Sequence, residues 1–190
     1  MPKATIQQIK AREILDSRGN WTLETSVELD GKFLGTASVP SGASVGAYEK
    51  KTVPIKTAVS AINGLLGPRL KKEDFESQEK LDDFLISFDA SEDRSSLGAN
   101  TILSVSTAFC KALAQKSGLP LFRYINNSFG TKRDLRIPQP LFNIVNGGKH
   151  ANNDLDFQEF IIIPRGDGTF ESSLHQASSI FHTLGTLLEN

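Results

Sequence analysis

At 190 residues, 38 % apolar and 23 % charged, the chain has the make-up of a soluble globular protein of one domain, or of one domain plus part of another. A formal net charge of −1 gives no overall pull toward nucleic acid or an anionic membrane, and no apolar run approaches the roughly 20 residues of a bilayer span. The N-terminus lacks the apolar core of a signal peptide, and the one cysteine, Cys110, can form no internal disulfide, which suits a reducing cytoplasm.

Residues 4–39 read as three strands. Ile6 to Leu15 form the first, closed by the turn cluster Asp16-Ser17-Arg18-Gly19-Asn20. Leu23, Thr25, Val27 and Leu29 then alternate with Glu24, Ser26 and Glu28, the period of a half-buried strand. Asp30-Gly31 predicts a two-residue hairpin turn into Phe33, Gly35, Ala37 and Val39, which completes an antiparallel meander with one wet face. The small residues Ser41 to Ala47 follow. They lack the Gly-Lys-Ser/Thr ending of a phosphate loop, so they are either a linker or a mobile lid whose hydroxyls meet a ligand.

Helices come next. Ala58, Ile62, Leu65 and Leu66 share a face until Gly67-Pro68, expected to stop the run. Leu81, Phe84, Leu85 and Phe88 mark a second helix. Ile102, Val105, Phe109 and Leu113 mark a third over 97–116, in which Cys110 takes a buried position. A short helix over Leu121 to Ile125 ends the first domain, expected as 1–127. The composition shifts from Asn126 to Pro140, through Ser128, Gly130, Lys132 and Arg133 to Pro138, so residues 128–138 read as a linker to a second domain at 139–190.

That domain opens with two apolar runs expected to be buried strands, Leu141 to Val145 and Phe160 to Ile163. They bracket the polar loop Asn146-Gly147-Gly148-Lys149-His150 and, at the start of the second strand, Gln158-Glu159. Adjacent strand residues point to opposite faces, so the amide and carboxylate are not expected both to face solvent. An imidazole, an amide and a carboxylate at strand ends are either a polar barrel rim or a catalytic site. The helix over 170–188 carries an apolar stripe of Leu174, Ala177, Ile180, Phe181, Leu184 and Leu188. His175 and His182 can share a face of it, without the partners a zinc site needs. One hairpin and one helix cannot close a barrel of about 250 residues, so either a partner completes the domain or the chain is the front of a longer protein, the second being preferred.

In order along the chain stand Ala11-Arg12-Glu13-Ile14-Leu15-Asp16-Ser17-Arg18-Gly19-Asn20, Val39-Pro40-Ser41-Gly42-Ala43-Ser44, Leu97-Gly98-Ala99-Asn100, Gly118-Leu119-Pro120-Leu121, Asn143-Ile144-Val145-Asn146-Gly147-Gly148, His150-Ala151 and Gln158-Glu159-Phe160. With these motifs the chain resembles the N-terminal part of enolases (phosphopyruvate hydratases). The resemblance implies an α+β N-terminal cap domain, a three-stranded antiparallel meander plus helices, followed by the first strands and helix of an incomplete TIM-like barrel. It also implies a carbon–oxygen lyase of glycolysis and gluconeogenesis that reversibly dehydrates 2-phosphoglycerate to phosphoenolpyruvate, cytoplasmic and homodimeric, with two Mg²⁺ per site.

By the same resemblance Ser44 is the lid serine that ligates a Mg²⁺, and Ser41, Gly42, Ala43, Ser44, Val45 and Gly46 form the lid. His150 closes over the substrate, Gln158 contacts it, Glu159 stands beside the leaving hydroxyl, and Arg18 lies near the dimer contact. The family's lysine base, acidic loop and remaining Mg²⁺ carboxylates find no counterpart in these 190 residues, so this polypeptide alone is expected to be inactive. Four departures stand out. Trp21 replaces proline, Val45 threonine and Lys149 serine, and the segment after Glu49 is shorter than the family's acidic one. A different reading is a non-catalytic interaction module that keeps the cap. An enzyme of the wider superfamily acting on another acid is disfavoured by the lid and the Gln158-Glu159 pair.

Overall fold

Alternating apolar and polar residues build the first sheet. The computed structural model describes residues 3–40, 46–130, 134–148 and 151–189, and the chain divides into two units, Met1–Lys132 and Arg133–Asn190. In the first unit, strands β1 (Ala4–Leu15), β2 (Trp21–Leu29) and β3 (Phe33–Val39) run antiparallel. A two-residue strand, β4 (Asp74–Phe75), pairs with the start of β1 and gives the order β3-β2-β1-β4. Leu23, Thr25, Val27 and Leu29 of β2 are buried, with Glu24, Ser26 and Glu28 half-buried between them. Three residues, not two, join β2 to β3. Asp30 and Gly31 have φ of +54° and +65°, the Lys32 N–H donates to the Leu29 carbonyl, and Leu29 faces Phe33.

The first helical stretch departs from expectation. It runs through Gly67-Pro68 as α1 (Ile55–Ala61), a π turn (Ile62–Leu66) and α2 (Gly67–Leu70). The proline has no N–H to give. The wider turn, in which the Gly67 N–H reaches the Ile62 carbonyl, lets the chain continue with Pro68 in the first turn of α2. The extra residue rotates the buried face, so Ile62, Leu66 and Leu70 point inward while Leu65 is exposed.

Helices α3 (Gln78–Phe88), α4 (Ala99–Lys116) and α5 (Leu121–Ser128) complete the unit. Ser77 caps α3, its hydroxyl accepting the Lys80 N–H at 3.3 Å. α4 lies across β2 and β3, and Phe109 meets Phe75 edge to face at 5.9 Å. Full burial of a ring this size contributes about 1.5–3 kcal/mol. Cys110 is half-buried, and burial pushes its thiol up.

Side chains occupy part of both long sheet edges. On β3, Gln115 accepts the Leu34 N–H and the Lys111 ammonium donates to the Thr36 carbonyl. On β1, the Asn63 amide holds both the N–H and the carbonyl of Ala11.

Asp89, at the end of α3, is fully buried. Its carboxylate accepts from the Leu97 N–H at 2.8 Å and from the backbone and hydroxyl of Ser91. Burial pushes the group up, but these hydrogen bonds and the charge of Arg94 outweigh it and hold it below the usual carboxylate range. A depressed folded value contributes stability above the unfolded pKa of about 3.9, lost as pH falls through the lower folded value. Asp89→Ala is expected to cost about 2–4 kcal/mol in urea unfolding at pH 7, with the gap to wild type narrowing below about pH 4. A gap that stays constant down to about pH 2 would refute this account.

In the second unit, β5 (Phe142–Asn146) and β6 (Glu159–Ile162) pair antiparallel, and α6 (Phe170–Leu188) starts at Thr169, whose hydroxyl accepts the Ser172 N–H. The strands form where expected but are not buried. Ile161 and Ile163 are 46 % and 53 % exposed, and Leu174, Phe181 and Leu188 of α6 are also open. Ala177 is buried, but two strands and one helix have too few neighbours to cover every apolar face of one another. Among the described residues, no helix is long and apolar enough to cross a membrane.

Candidate functional site

Of the predicted site residues, the hairpin region of the second unit carries Gln158 and Glu159. Asn146 pairs with Glu159 and Val145 with Phe160, so the amide and the carboxylate share one side of the ladder. The loop leaving Asn146 is folded back by its glycines. The Gly147 N–H donates to the Gln158 carbonyl at 3.0 Å and the Gly148 N–H to the Leu155 carbonyl at 2.8 Å. A side chain at Gly147 would lie 2.3 Å from the Phe157 carbonyl oxygen, and Gly148 has φ of +55°. The spacing of glycines and strand ends therefore has a steric cause.

Asparagines hold the same loop. The Asn153 amide donates to the Asn146 carbonyl at 2.9 Å, its oxygen accepts the Leu155 N–H, and the Asn143 amide donates to the Asn146 side chain. Asn153 was not expected from sequence, because its signal, a place two residues before Leu155 in an Asx-type turn, is one that many exposed loops share.

Gln158 precedes β6 rather than opening it, and both Gln158 and Glu159 are exposed. The expectation that one of the two turns away from solvent fails. Gln158 still belongs to the glycine turn, so strand alternation does not govern it. Ser41, Gly42, Ala43, Ser44, Val45 and His150 lie outside the described residues. Gly46 is described, its N–H donating to the Glu49 carboxylate at 2.9 Å. Arg18 sits exposed in the turn after β1, where Asp16 accepts the backbone N–H groups of Arg18 and Asn20. Those bonds, that from Asn20 foremost, hold the Asp16 carboxyl below its ordinary range. Among the described residues, no three His, Cys, Asp or Glu side chains cluster to hold a metal ion.

An antiparallel sheet backed by helices, followed by a strand pair and a helix with polar residues at the strand ends, is the layout of a cap domain leading into a barrel. Residues 6–125 match the enolase N-terminal domain and residues 134–190 the enolase C-terminal TIM barrel domain. The chain belongs to the enolase family. It is 40 % identical over 200 residues to an enolase of Ehrlichia ruminantium and 41 % identical over 199 residues to an enolase of Methanopyrus kandleri. Each match takes in 100 % of this chain but only 47 % and 45 % of those proteins, so the chain spans about half the length of these relatives.

Proposed function

We propose that the protein is a phosphopyruvate hydratase, a lyase of glycolysis and gluconeogenesis that interconverts 2-phosphoglycerate and phosphoenolpyruvate. The observation that supports this best is the succession of the two enolase domain matches along one chain, with Gln158 and Glu159 held beside the glycine loop of the second. In this reading Glu159 stands at the leaving hydroxyl, where a carboxyl group can pass it a proton so that it departs as water. Gln158 offers the substrate an amide donor and acceptor, and His150 closes over it.

Enolase chemistry calls for Mg²⁺, which steadies the charge built up when the proton next to the substrate carboxylate is removed. The described residues present no cluster fit for a divalent ion, and Ser44, the serine proposed to ligate one, lies outside them. The described residues alone therefore do not make up that site. The reading further takes residues 41–46 as a lid, the protein as a cytoplasmic homodimer, and Arg18 as lying near the subunit contact.

Incubating the protein as the cell encodes it with 2-phosphoglycerate and Mg²⁺, and following the enol double bond of phosphoenolpyruvate by ultraviolet absorbance, tests this. Turnover is expected; a folded protein that forms no phosphoenolpyruvate would overturn it.

A further inference from the structure

The motif Leu97-Gly98-Ala99-Asn100 has no part in the chemistry above, yet three of its residues meet one short stretch, 51–53. The Ala99 N–H donates to the Lys51 carbonyl at 2.8 Å. The Asn100 amide grips Val53 at both ends, accepting its N–H at 3.1 Å and donating to its carbonyl at 2.9 Å. Asn100 is only 5 % exposed, so this fork has little competition from water. Gly98 has φ of +92°, and a side chain there would lie 2.6 Å from a Val53 methyl and 2.9 Å from its nitrogen. The glycine is thus bare where the stretch passes.

The loop before the motif holds the other end. The Lys51 N–H donates to the Asp93 carbonyl at 2.9 Å, the Lys51 ammonium pairs with the Asp93 carboxylate at 2.8 Å, and Lys50 donates to the Glu92 carbonyl at 3.0 Å. Just upstream, Gly46 and Glu49 close a turn. Just downstream, the Pro54 carbonyl starts α1 by accepting the Ala58 N–H. Residues 50–53 therefore run as a strap tied at Lys50, Lys51 and Val53. They stand where the sequence lacks the longer acidic segment expected after Glu49. Both relatives match over more positions than the 190 of this chain, as a shortened segment requires.

We infer that Asn100 and Asp93 are positioning residues: they seat residues 50–53 on the 89–99 loop and so fix the turn at 46–49 relative to the start of α1. The kinetic consequence rests on the enolase reading. A strap that slips lets the turn at Gly46 to Glu49 sample more arrangements, and apparent affinity falls with the fraction that is binding-competent.

Amide hydrogen exchange and steady-state kinetics, both on the protein as the cell encodes it, test the two halves. In Asn100→Ala the Val53 and Lys51 amides are expected to exchange about tenfold faster while Val27 in β2 is unchanged. Asp93→Ala, a change at a half-buried residue and a milder one, is expected to speed the Lys51 amide about two- to fivefold, and the swap Lys51→Asp with Asp93→Lys to restore it. KM for 2-phosphoglycerate is expected to rise about three- to tenfold in Asn100→Ala, with kcat within about twofold. Unchanged exchange in both variants overturns the strap. Faster exchange with unchanged KM overturns the positioning role. A wild type without turnover overturns the enolase reading instead, and the exchange data still decide the strap.

Discussion

Gly35→Ala is expected to destabilise the first unit by more than about 3 kcal/mol, read as a shift of the urea midpoint followed by circular dichroism. The new methyl would lie 2.0 Å from the Ala108 carbonyl oxygen and 2.4 Å from the Ala112 nitrogen. Both are backbone atoms of α4, so no side chain can swing aside. Relief requires α4 to slide off β3, yet Val105 and Phe109 on the same helix are fully buried and resist that movement. Gly64→Ala is the control. It meets nothing within 4 Å, and its expected effect is under about 1 kcal/mol, in the stabilising direction. Equal effects of the two substitutions would show that β3 and α4 do not touch as described.

Glu159→Gln is expected to lower turnover of 2-phosphoglycerate by roughly 10²–10⁴-fold in the protein as encoded, with its circular dichroism unchanged. Glutamine keeps the length of the side chain and a place opposite Asn146, but it can neither release a proton to a departing hydroxyl nor carry the charge of a carboxylate. Val145 opposite Phe160 and the glycine-loop hydrogen bonds remain to hold the hairpin register in the variant. Turnover within about threefold of wild type would remove Glu159 from the reaction.

The sheet and helices were legible because their causes are local. Period-two alternation in β2 and the helical spacing of Leu81, Leu85, Val105 and Phe109 each report a buried face directly. The miss at Gly67-Pro68 has a different origin. Proline ordinarily stops a helix, and a π turn that accommodates it leaves no mark in composition. The third residue of the β2–β3 turn was hidden for a similar reason, since Asp30-Gly31 suits either loop length.

At the candidate site, the glycines and the Gln158-Glu159 pair were visible as residues, but their exposure was not. Burial of β5 and β6 depends on neighbours that two strands and a helix do not supply. The strap at 50–53 was invisible because Asn100 and Val53 are 47 positions apart, and nothing in either residue names the other. Buried Asp89 was likewise unforeseen, since its donors, Ser91 and Leu97, read as a loop residue and the first residue of a helix.

The π turn at 62–66 also bears on how this region can change in length. Its five-residue step carries one residue of slack relative to an ordinary helical turn. Loss of a single residue there would tighten the coil while leaving Leu70 and everything after it in phase with the core. Asn63 is the exception, because its fork on Ala11 fastens the slack to the sheet. Loss of Gly64 is therefore tolerable, whereas loss of the buried Ile62 or of Asn63 itself is not.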